Sequence, residues 1–285
     1  MTGRAVELRL LWHTVTVEGD PEVLEQLLAL LPQAGHPMPA RRTMRYAVER
    51  IDGQLALREE GDMRTRVPDA ASAADAVHVR AHRRAFELAS LAGWSRVHAA
   101  TVDLPPGRVL IVGPSGAGKT TLAARFLIEG ADVQGDESVL VRRGASLAVP
   151  RALHLKTGFG RLLPELAALA GELPTVGDVT VLDPARLGRP WRLHEAPIAH
   201  VVLLDGPDLR APGLSAPRWG PAEVVCTPVD GGAVLGALLG DAFPVTETKA
   251  GIVATLAGAI AGARGHRMTA GDPGAMVEAL RRAVR

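Results

Sequence analysis

The sequence predicts an α/β protein with a small α+β unit at its N-terminal end. From residue 97 onward, short apolar runs rich in β-branched residues alternate with segments of helical spacing, which is typical of an α/β core. A glycine-rich loop lies between one such strand and one such helix. Before residue 70, strand patterns surround a single helix. We therefore expect a small α+β domain at residues 1–70 and a larger α/β domain at residues 71–285.

Three consecutive patterns predict the N-terminal unit. Residues 5–17 alternate in polarity and are rich in β-branched residues, which predicts a strand. Residues 20–33 begin with an acidic residue and space their leucines as on a helix. Residues 43–60 contain an Asp-Gly pair between two strand patterns, which is typical of a hairpin.

A long helix is predicted next, over residues 68–94. It carries His78 and His82 one turn apart, together with several arginines. No carboxylate or cysteine at suitable spacing completes a metal site. We therefore expect the two histidines to lie on a solvated basic face.

The second domain continues as alternating strands and helices, with a Pro/Gly-rich connection at 206–221. Strands are predicted at 96–104, 108–113, 179–184, 198–206 and 265–270, with a pair of short strands inside 131–150; helices are predicted at 118–130, 165–173, 231–240, 249–263 and 272–285.

The composition is that of an ordinary globular protein. A net charge of +1 offers no electrostatic basis for binding nucleic acid or an anionic membrane. The single cysteine, Cys226, excludes an internal disulfide and fits a reducing compartment. No signal-peptide pattern opens the chain, and the longest uncharged apolar run, residues 250–263, is too short to cross a bilayer. These features predict a cytoplasmic protein.

Residues 113–120 read GPSGAGKT and match the phosphate-binding pattern G-x-x-x-x-G-K-[ST], with a strand before it and a helix after it. The glycines allow backbone N–H groups to surround phosphate oxygens, Lys119 reaches the β- and γ-phosphates, and the Thr120 hydroxyl is a ligand for Mg²⁺. The pattern predicts ATP or another nucleoside triphosphate as ligand. The predicted phosphate contacts are Gly113, Ser115, Gly116, Ala117, Gly118, Lys119, Thr120 and Thr121.

An acidic pair, Asp136 and Glu137, follows the predicted helix after the loop. One helix and a short return strand would bring both carboxylates back beside the loop. There they could hold Mg²⁺ or accept a proton from an attacking hydroxyl. A solvated acidic turn would have the same sequence.

His98 lies 21 residues before Lys119, on the strand that we expect beside the strand of the loop. A single histidine between apolar residues is as consistent with packing as with chemistry.

Lysine is rare in this chain: only Lys119, Lys156 and Lys249 occur among 32 basic residues. Lys156 lies in a basic segment at 151–156, and cations near a γ-phosphate can stabilise the transferring charge. We therefore take Lys156 as a candidate catalytic residue, although a solvated basic loop would look the same.

Asp205 offers a competing metal ligand. It ends the apolar run at 200–205, which has the form of a strand that carries the magnesium aspartate of P-loop ATPases. If Asp205 rather than Asp136 were the partner of Mg²⁺, the chain would be a general P-loop ATPase.

His98, the loop with Lys119, and the Asp136–Glu137 pair together resemble HPr kinase/phosphorylase, a bacterial protein-serine kinase family whose catalytic core resembles that of phosphoenolpyruvate carboxykinase. The resemblance covers residues 95–160. It implies that one acid of the pair, which we take as Asp136, activates a serine hydroxyl, and that the other helps to hold Mg²⁺. The family has Asp-Asp where this chain has Asp-Glu.

The family's downstream glycine-rich signature, which is linked to the reverse reaction, has no match at residues 151–166. The chain therefore resembles HPr-kinase-like proteins outside sugar regulation, some of which are similar to kinases of lasso peptide precursors. The resemblance implies an ATP- and Mg²⁺-dependent kinase that acts in the forward direction on a serine of a peptide or protein. A small-molecule kinase and a nucleotide-dependent switch remain alternatives, and the oligomeric state, a homo-oligomer included, stays open.

Overall fold

The computed structural model describes residues 4–31, 41–59, 65–206 and 223–285. The described residues form a mixed α/β protein with four sheets. The strands are β1 (Arg4–Leu10), β2 (His13–Gly19), β3 (Arg42–Ile51), β4 (Gln54–Glu59), β5 (Thr65–Val67), β6 (Ser95–Val97), β7 (Ala99–Leu104), β8 (Gly107–Val112), β9 (Asp132–Gly135), β10 (Val139–Arg142), β11 (Ala145–Ala148), β12 (Leu153–Leu155), β13 (Thr175–Val176), β14 (Val179–Leu182), β15 (Ile198–Asp205), β16 (Cys226–Val229), β17 (Ala242–Phe243) and β18 (Arg264–Thr269). The helices are α1 (Pro21–Leu30), α2 (Ala70–Leu91), α3 (Lys119–Ile128), α4 (Phe159–Leu162), α5 (Pro164–Ala167), α6 (Gly231–Gly240), α7 (Lys249–Ala259) and α8 (Pro273–Ala283), with a 3-10 turn at Pro184–Leu187.

The chain divides into two compact units. The first consists of the described residues of Met1–Leu88, Pro150–Thr157 and Ala170–Leu193. The second consists of those of Ala89–Val149, Gly158–Leu169 and His194–Arg285. The first unit thus combines the N-terminal part of the chain with two later segments.

The first unit contains a five-stranded sheet in the order β1-β2-β3-β4-β5 and a three-stranded sheet in the order β12-β14-β13. Helix α1 connects the parallel strands β2 and β3. Asp20 caps it, because its carboxylate accepts the backbone N–H of Glu22 at 3.1 Å. The predicted Asp-Gly hairpin is confirmed: Asp52 and Gly53 have φ of 50° and 80°, as a tight turn between β3 and β4 requires.

Residues 5–17, predicted as one strand, form two. The chain reverses after β1, where Leu11 has φ of 52°, and β2 pairs antiparallel with β1. The alternation is interrupted at the reversal, where Leu10, Leu11 and Trp12 are consecutive apolar residues, so this interruption was the sequence signal for the turn.

The long helix was predicted correctly as α2, but the solvated basic face was wrong. His78 and His82 are both buried, on a helix face that they share with Ala74, Val77, Ala81 and Ala85. Burial lowers the pKa of His78 well below its usual value, so its imidazole is neutral.

The second unit is built on a six-stranded sheet in the order β16-β18-β15-β8-β7-β9. The strands β18, β15 and β8 are parallel, while β7 and β9 run antiparallel to their neighbours. A four-stranded sheet, β11-β10-β6-β17, lies in the same unit. Helices α6 and α7 contribute Val234, Leu238, Ile252 and Leu256 to a core that also contains strand residues such as Leu110 and Val201.

Two predicted strands of this unit change sheets partway. The strand predicted at 96–104 breaks at His98 into β6 and β7, which belong to different sheets. The segment that follows α3 breaks in the same way at 136–138, between β9 and β10. Within the described residues, no helix combines the length and the apolar character that crossing a membrane requires.

Candidate functional site

The glycine-rich loop joins β8 to α3. Its residues Gly116 and Gly118 have φ of 88° and 99°, a region that favours glycine. Such a run turns successive backbone N–H groups toward one side, and Gly118 caps α3 without a side chain. The first N–H groups of a helix have no intrahelical partner and carry partial positive charge, so the N-terminus of α3 suits an anion.

Close backbone packing surrounds the loop. A Cβ at Gly113 would lie 2.8 Å from the carbonyl oxygen of Leu204, and a Cβ at Gly206 would lie 2.8 Å from Cα of Ala117. The end of β15 thus runs directly against the loop. Ala117 itself is fully buried, while Ser115 and Thr121 are half-buried.

Lys119, the first residue of α3, is buried. Its ammonium donates to the carbonyl oxygens of Gly113 at 2.5 Å and Pro114 at 3.3 Å. The loop therefore curls around this cation. A full positive charge is thereby added to the positive end of the helix, which suits phosphate oxygens.

Thr120 and Asp136 meet beside the loop. The Thr120 hydroxyl donates to the Asp136 carboxylate at 2.7 Å, and Asp136 is buried. The contact forms because α3 carries the chain away from the loop and β9 returns it. The sequence predicted this return of the acidic pair.

Glu137 adopts an unusual backbone conformation, with φ of 79°. This left-handed region is unfavourable by about 1–2 kcal/mol for a residue with a Cβ. Glu137 lies where the chain passes from β9 in one sheet to β10 in the other. Strain of this kind at a non-glycine residue is typical of functional sites.

His98 lies at the corresponding corner between β6 and β7. The register pairs Ala99 with Val112 in the large sheet and Val97 with Val139 in the smaller one. His98 therefore lies between a strand that pairs with β8, the strand before the loop, and a strand that pairs with β10, the strand after the acidic pair. The side chain of His98 is half-buried, and its ring centroid lies 6.1 Å from that of Phe243.

Asp241 connects His98 to the loop and was missed by sequence reasoning. Its backbone carbonyl accepts the N–H of His98 at 2.8 Å, and its carboxylate accepts the N–H of Gly113 at 3.3 Å. It directly follows α6 and precedes β17, which pairs with β6. Because 128 residues separate it from Gly113, no local motif could have revealed it.

Arg96 and Phe243 were also missed. The Arg96 guanidinium lies 4.7 Å above the Phe243 ring, and its Nε donates to the Ser138 hydroxyl at 3.0 Å. Burial lowers the pKa of Arg96. Arg96 lies two residues before His98, and residues at this spacing in a strand share a face. That spacing was the one sequence signal that could have linked Arg96 to His98.

The other candidates have different surroundings. Asp205 is about half exposed and forms a 2.9 Å ion pair with Arg267, so its carboxylate is engaged away from Thr120. Lys156 is exposed, follows β12 and belongs to the first unit. Its role at the loop therefore stays a prediction.

The oxygen ligands of Thr120 and Asp136 fit Mg²⁺, which takes few protein ligands, better than they fit a metal whose ligands are all protein side chains. Among the described residues, no group of three or more histidine, cysteine, aspartate or glutamate side chains could hold a metal ion. Mg²⁺ commonly takes one or two carboxylates and completes its shell with water and substrate phosphates. One buried carboxylate beside a hydroxyl at the mouth of the loop satisfies that requirement.

Comparisons with known proteins identify little. No protein-family model matches the chain, and no curated protein matches its sequence. Among solved structures, the HPr(Ser) kinase/phosphatase from Coxiella burnetii is similar over 66% of this chain and 95% of its own, with 12% sequence identity and a TM-score of 0.33. At that level of similarity, any functional conclusion has to be based on the geometry of the site itself.

Proposed function

We propose that this chain is an ATP- and Mg²⁺-dependent kinase that transfers the γ-phosphoryl group to a hydroxyl, most specifically a serine of a peptide or protein. The hydrogen bond between Thr120 and Asp136 carries the proposal. In P-loop enzymes the loop threonine and an aspartate together hold Mg²⁺. Glu137 directly follows Asp136 in the chain, and the backbone N–H of His98 donates to the carbonyl of Asp241, whose carboxylate accepts the N–H of Gly113. These connections support Glu137 and His98 as the candidate acid–base groups.

The loop and the N-terminus of α3 would bind the phosphates. The backbone N–H groups of 113–120 and the Lys119 ammonium would hold the β- and γ-phosphates of ATP as substrate. Bound Mg²⁺ would neutralise charge on the phosphate oxygens. Since phosphoryl transfer depends mainly on positioning and charge stabilisation, these groups supply most of the required chemistry.

Asp136 and Glu137 have different roles in this scheme, one at the metal and one at the acceptor hydroxyl. Asp136 is buried and bonded to Thr120, which supports a place for it on the metal side. This assigns the proton of the acceptor hydroxyl to Glu137, the reverse of the division that the resemblance implied. The strained backbone of Glu137 supports the assignment, because such strain persists where a side chain must be held in one direction.

Asp205 gives little support to the alternative of a general ATPase, because its carboxylate pairs with Arg267 while Asp136 takes the Thr120 hydroxyl. No observation favours a small-molecule acceptor over a peptide serine. Both alternatives are therefore outcomes of the experiment below.

The test is transfer from γ-labelled ATP with Mg²⁺ to a panel of serine-containing peptides, with the products identified by mass spectrometry. Glu137→Gln should bind ATP with Mg²⁺ normally but lose transfer by about 10²- to 10⁴-fold, as loss of a general base does. Asp136→Asn should lose the Mg²⁺ dependence of nucleotide binding as well as transfer. Asp205→Asn is the matched control and should retain both.

Other outcomes would reject the proposal. ATP hydrolysis that no acceptor changes would favour the nucleotide-dependent switch. Transfer only to small hydroxyl compounds would favour the small-molecule kinase. Phosphorylation of histidine or a carboxylate would contradict a hydroxyl acceptor.

A further inference from the structure

The Arg96–Phe243 surface, defined by these two side chains, is linked to the proposed site through Ser138 and His98. Arg96 precedes His98 by two residues, and Asp241 links His98 to Gly113 of the loop, because it accepts the backbone N–H groups of both residues. Two residues of extended strand separate Arg96 from His98 by about 7 Å. The backbone positions of Arg96 and His98 are therefore separated by about the length of one or two residues of an extended peptide.

Four contacts hold this surface in place. Phe243 is the register partner of Arg96 across β17 and β6. The guanidinium lies 4.7 Å above the Phe243 ring, while Nε donates to Ser138, the residue after Glu137. The Phe243 ring also contacts the ring of His98, so Arg96 and His98 lie on the same face. The guanidinium of Arg96 is thus held between the Phe243 ring and the Ser138 hydroxyl.

The chemistry of the surface suits an anionic neighbour of the acceptor. A guanidinium presents five N–H donors in a planar fork and binds carboxylate or phosphate oxygens in pairs. Partial burial strengthens such a contact, because the local dielectric is lower than in water. Phe243 is 38% exposed, so a ligand that reaches the guanidinium would also cover aromatic surface.

We propose that Arg96, supported by Phe243, determines acceptor specificity by binding a carboxylate one or two residues from the hydroxyl that receives the phosphoryl group. This inference rests on the proposed function for the identity of the acceptor. It adds a substrate class, namely serine with an acidic neighbour. Arg96 binds substrate in this scheme, and the acids at 136–137 remain responsible for the chemistry.

The test compares hexapeptides that differ only in charge, Gly-Ala-Ser-Asp-Ala-Gly against Gly-Ala-Ser-Asn-Ala-Gly, together with the versions in which the acidic residue precedes serine. The intact chain should prefer an acidic peptide by roughly 10- to 100-fold in kcat/KM, as a charge-assisted hydrogen bond allows. Arg96→Gln should remove that preference through the acceptor KM, with the affinity for ATP unchanged. Arg96→Lys should retain part of it.

Arg267→Gln is the matched control, because it removes an exposed arginine of the same unit that pairs with Asp205. It should leave the preference intact. Equal use of acidic and neutral peptides by the intact chain, or an unchanged preference in Arg96→Gln, would overturn the inference.

Equilibrium binding of the same peptides, measured by calorimetry with a non-hydrolysable ATP analogue present, separates the inference from the proposed function. If the intact chain binds the acidic peptides more tightly and Arg96→Gln does not, the role of Arg96 in acceptor selection is supported, even if no phosphoryl transfer occurs. If acidic and neutral peptides are bound equally and phosphorylated equally, the role of Arg96 in selection is rejected, whereas the proposed kinase function is not. Circular dichroism and thermal unfolding of each variant establish that loss of selectivity is not loss of fold.

Discussion

At the scale of single residues, the proposed site depends on a few side chains whose neighbours restrict them. Lys119 is buried within the carbonyl groups of its own loop, and Asp136 is buried against Thr120. Glu137 occupies a backbone region that is unfavourable for any residue with a Cβ. Arrangements of this kind serve a ligand better than they serve stability, which leads to two predictions.

Lys119→Ala should abolish nucleotide binding while the protein remains folded, because alanine removes the cation at the loop and keeps the backbone and helix propensity of α3. Thermal unfolding with and without ATP and Mg²⁺ measures this. Saturating nucleotide should stabilise the unaltered chain by about 3 kcal/mol at 100 times the dissociation constant, and should not stabilise the variant. Lys249→Ala, which changes an exposed lysine, is the control. Normal stabilisation of folded Lys119→Ala would refute the phosphate loop.

Glu137→Gly should raise the free energy of unfolding by about 1 kcal/mol, because glycine adopts a φ of 79° without the steric penalty. The same change should remove phosphoryl transfer. Urea unfolding and the peptide assay give the two quantities. Glu137→Gln, which retains the Cβ, should lose transfer without any gain in stability. A destabilised Glu137→Gly would show that the carboxylate, and not the backbone, dominates at this position.

At the scale of elements, strand ends and strand breaks assemble the site. β8 and β15 end at the loop, and the breaks after β6 and β9 bring His98 and Glu137 to the boundary between two sheets. β17, only two residues long, places Asp241 and Phe243 beside them by pairing with β6. Irregular strand geometry therefore positions most of the acid–base groups.

Gly206→Ala should weaken nucleotide binding, although residue 206 lies outside the loop motif. The new Cβ would be 2.8 Å from Cα of Ala117, so the loop or β15 must shift. Overpacking of this kind destabilises by about 1–3 kcal/mol. Gly236→Ala is the control: that glycine lies within α6 with nothing within 4 Å of an added Cβ, and alanine there should stabilise by about 0.5–1 kcal/mol. Calorimetric binding and thermal unfolding test both, and unaltered affinity in Gly206→Ala would refute close packing at the loop.

At the scale of the whole molecule, each unit has its own buried groups, and the first unit contains several buried histidines. Burial lowers the pKa of His13 to about 4, with smaller effects from Arg42 and Arg84. It also lowers the pKa of His154 to about 3, where Arg151 is the second cause. Both imidazoles are neutral in the folded state over a wide pH range.

Stability should therefore fall on acidification between pH 6.5 and about 4. The unfolded chain protonates these histidines near pH 6.5, while the folded chain does not, so the unfolded state binds more protons throughout that window. At pH 5 the loss should be on the order of 2 kcal/mol for each histidine. Urea unfolding at pH 7 and pH 5 measures it.

His13→Leu isolates one contribution. Within the described residues, neither ring nitrogen of His13 has a hydrogen-bond partner, so leucine removes the titration without breaking such a bond. The variant should lose less stability between pH 7 and pH 5 than the unaltered chain. An equal loss in both proteins would show that His13 does not contribute.

The sequence by itself determined the loop, helix α3 and the return of Asp136 to Thr120, because these features lie within one continuous segment and follow from local rules. It also indicated His98, because the strand before a loop strand is its natural neighbour in a sheet. It did not reveal the burial of His78 and His82, since an arginine-rich helix has the same pattern whether or not its histidine face is covered.

Only the tertiary structure shows the contacts of Asp241, Arg96 and Phe243 near the loop and the acidic segment. Asp241 reaches Gly113 across 128 residues, and it does so because the short strand β17 pairs with β6. The tertiary structure also shows that the Thr120 hydroxyl donates to Asp136 while Asp205 pairs with Arg267; in the sequence each aspartate lies at the end of a strand segment, so the local pattern allows either. Contacts between distant segments depend on which strands pair and where they break, and local residue patterns do not encode those choices.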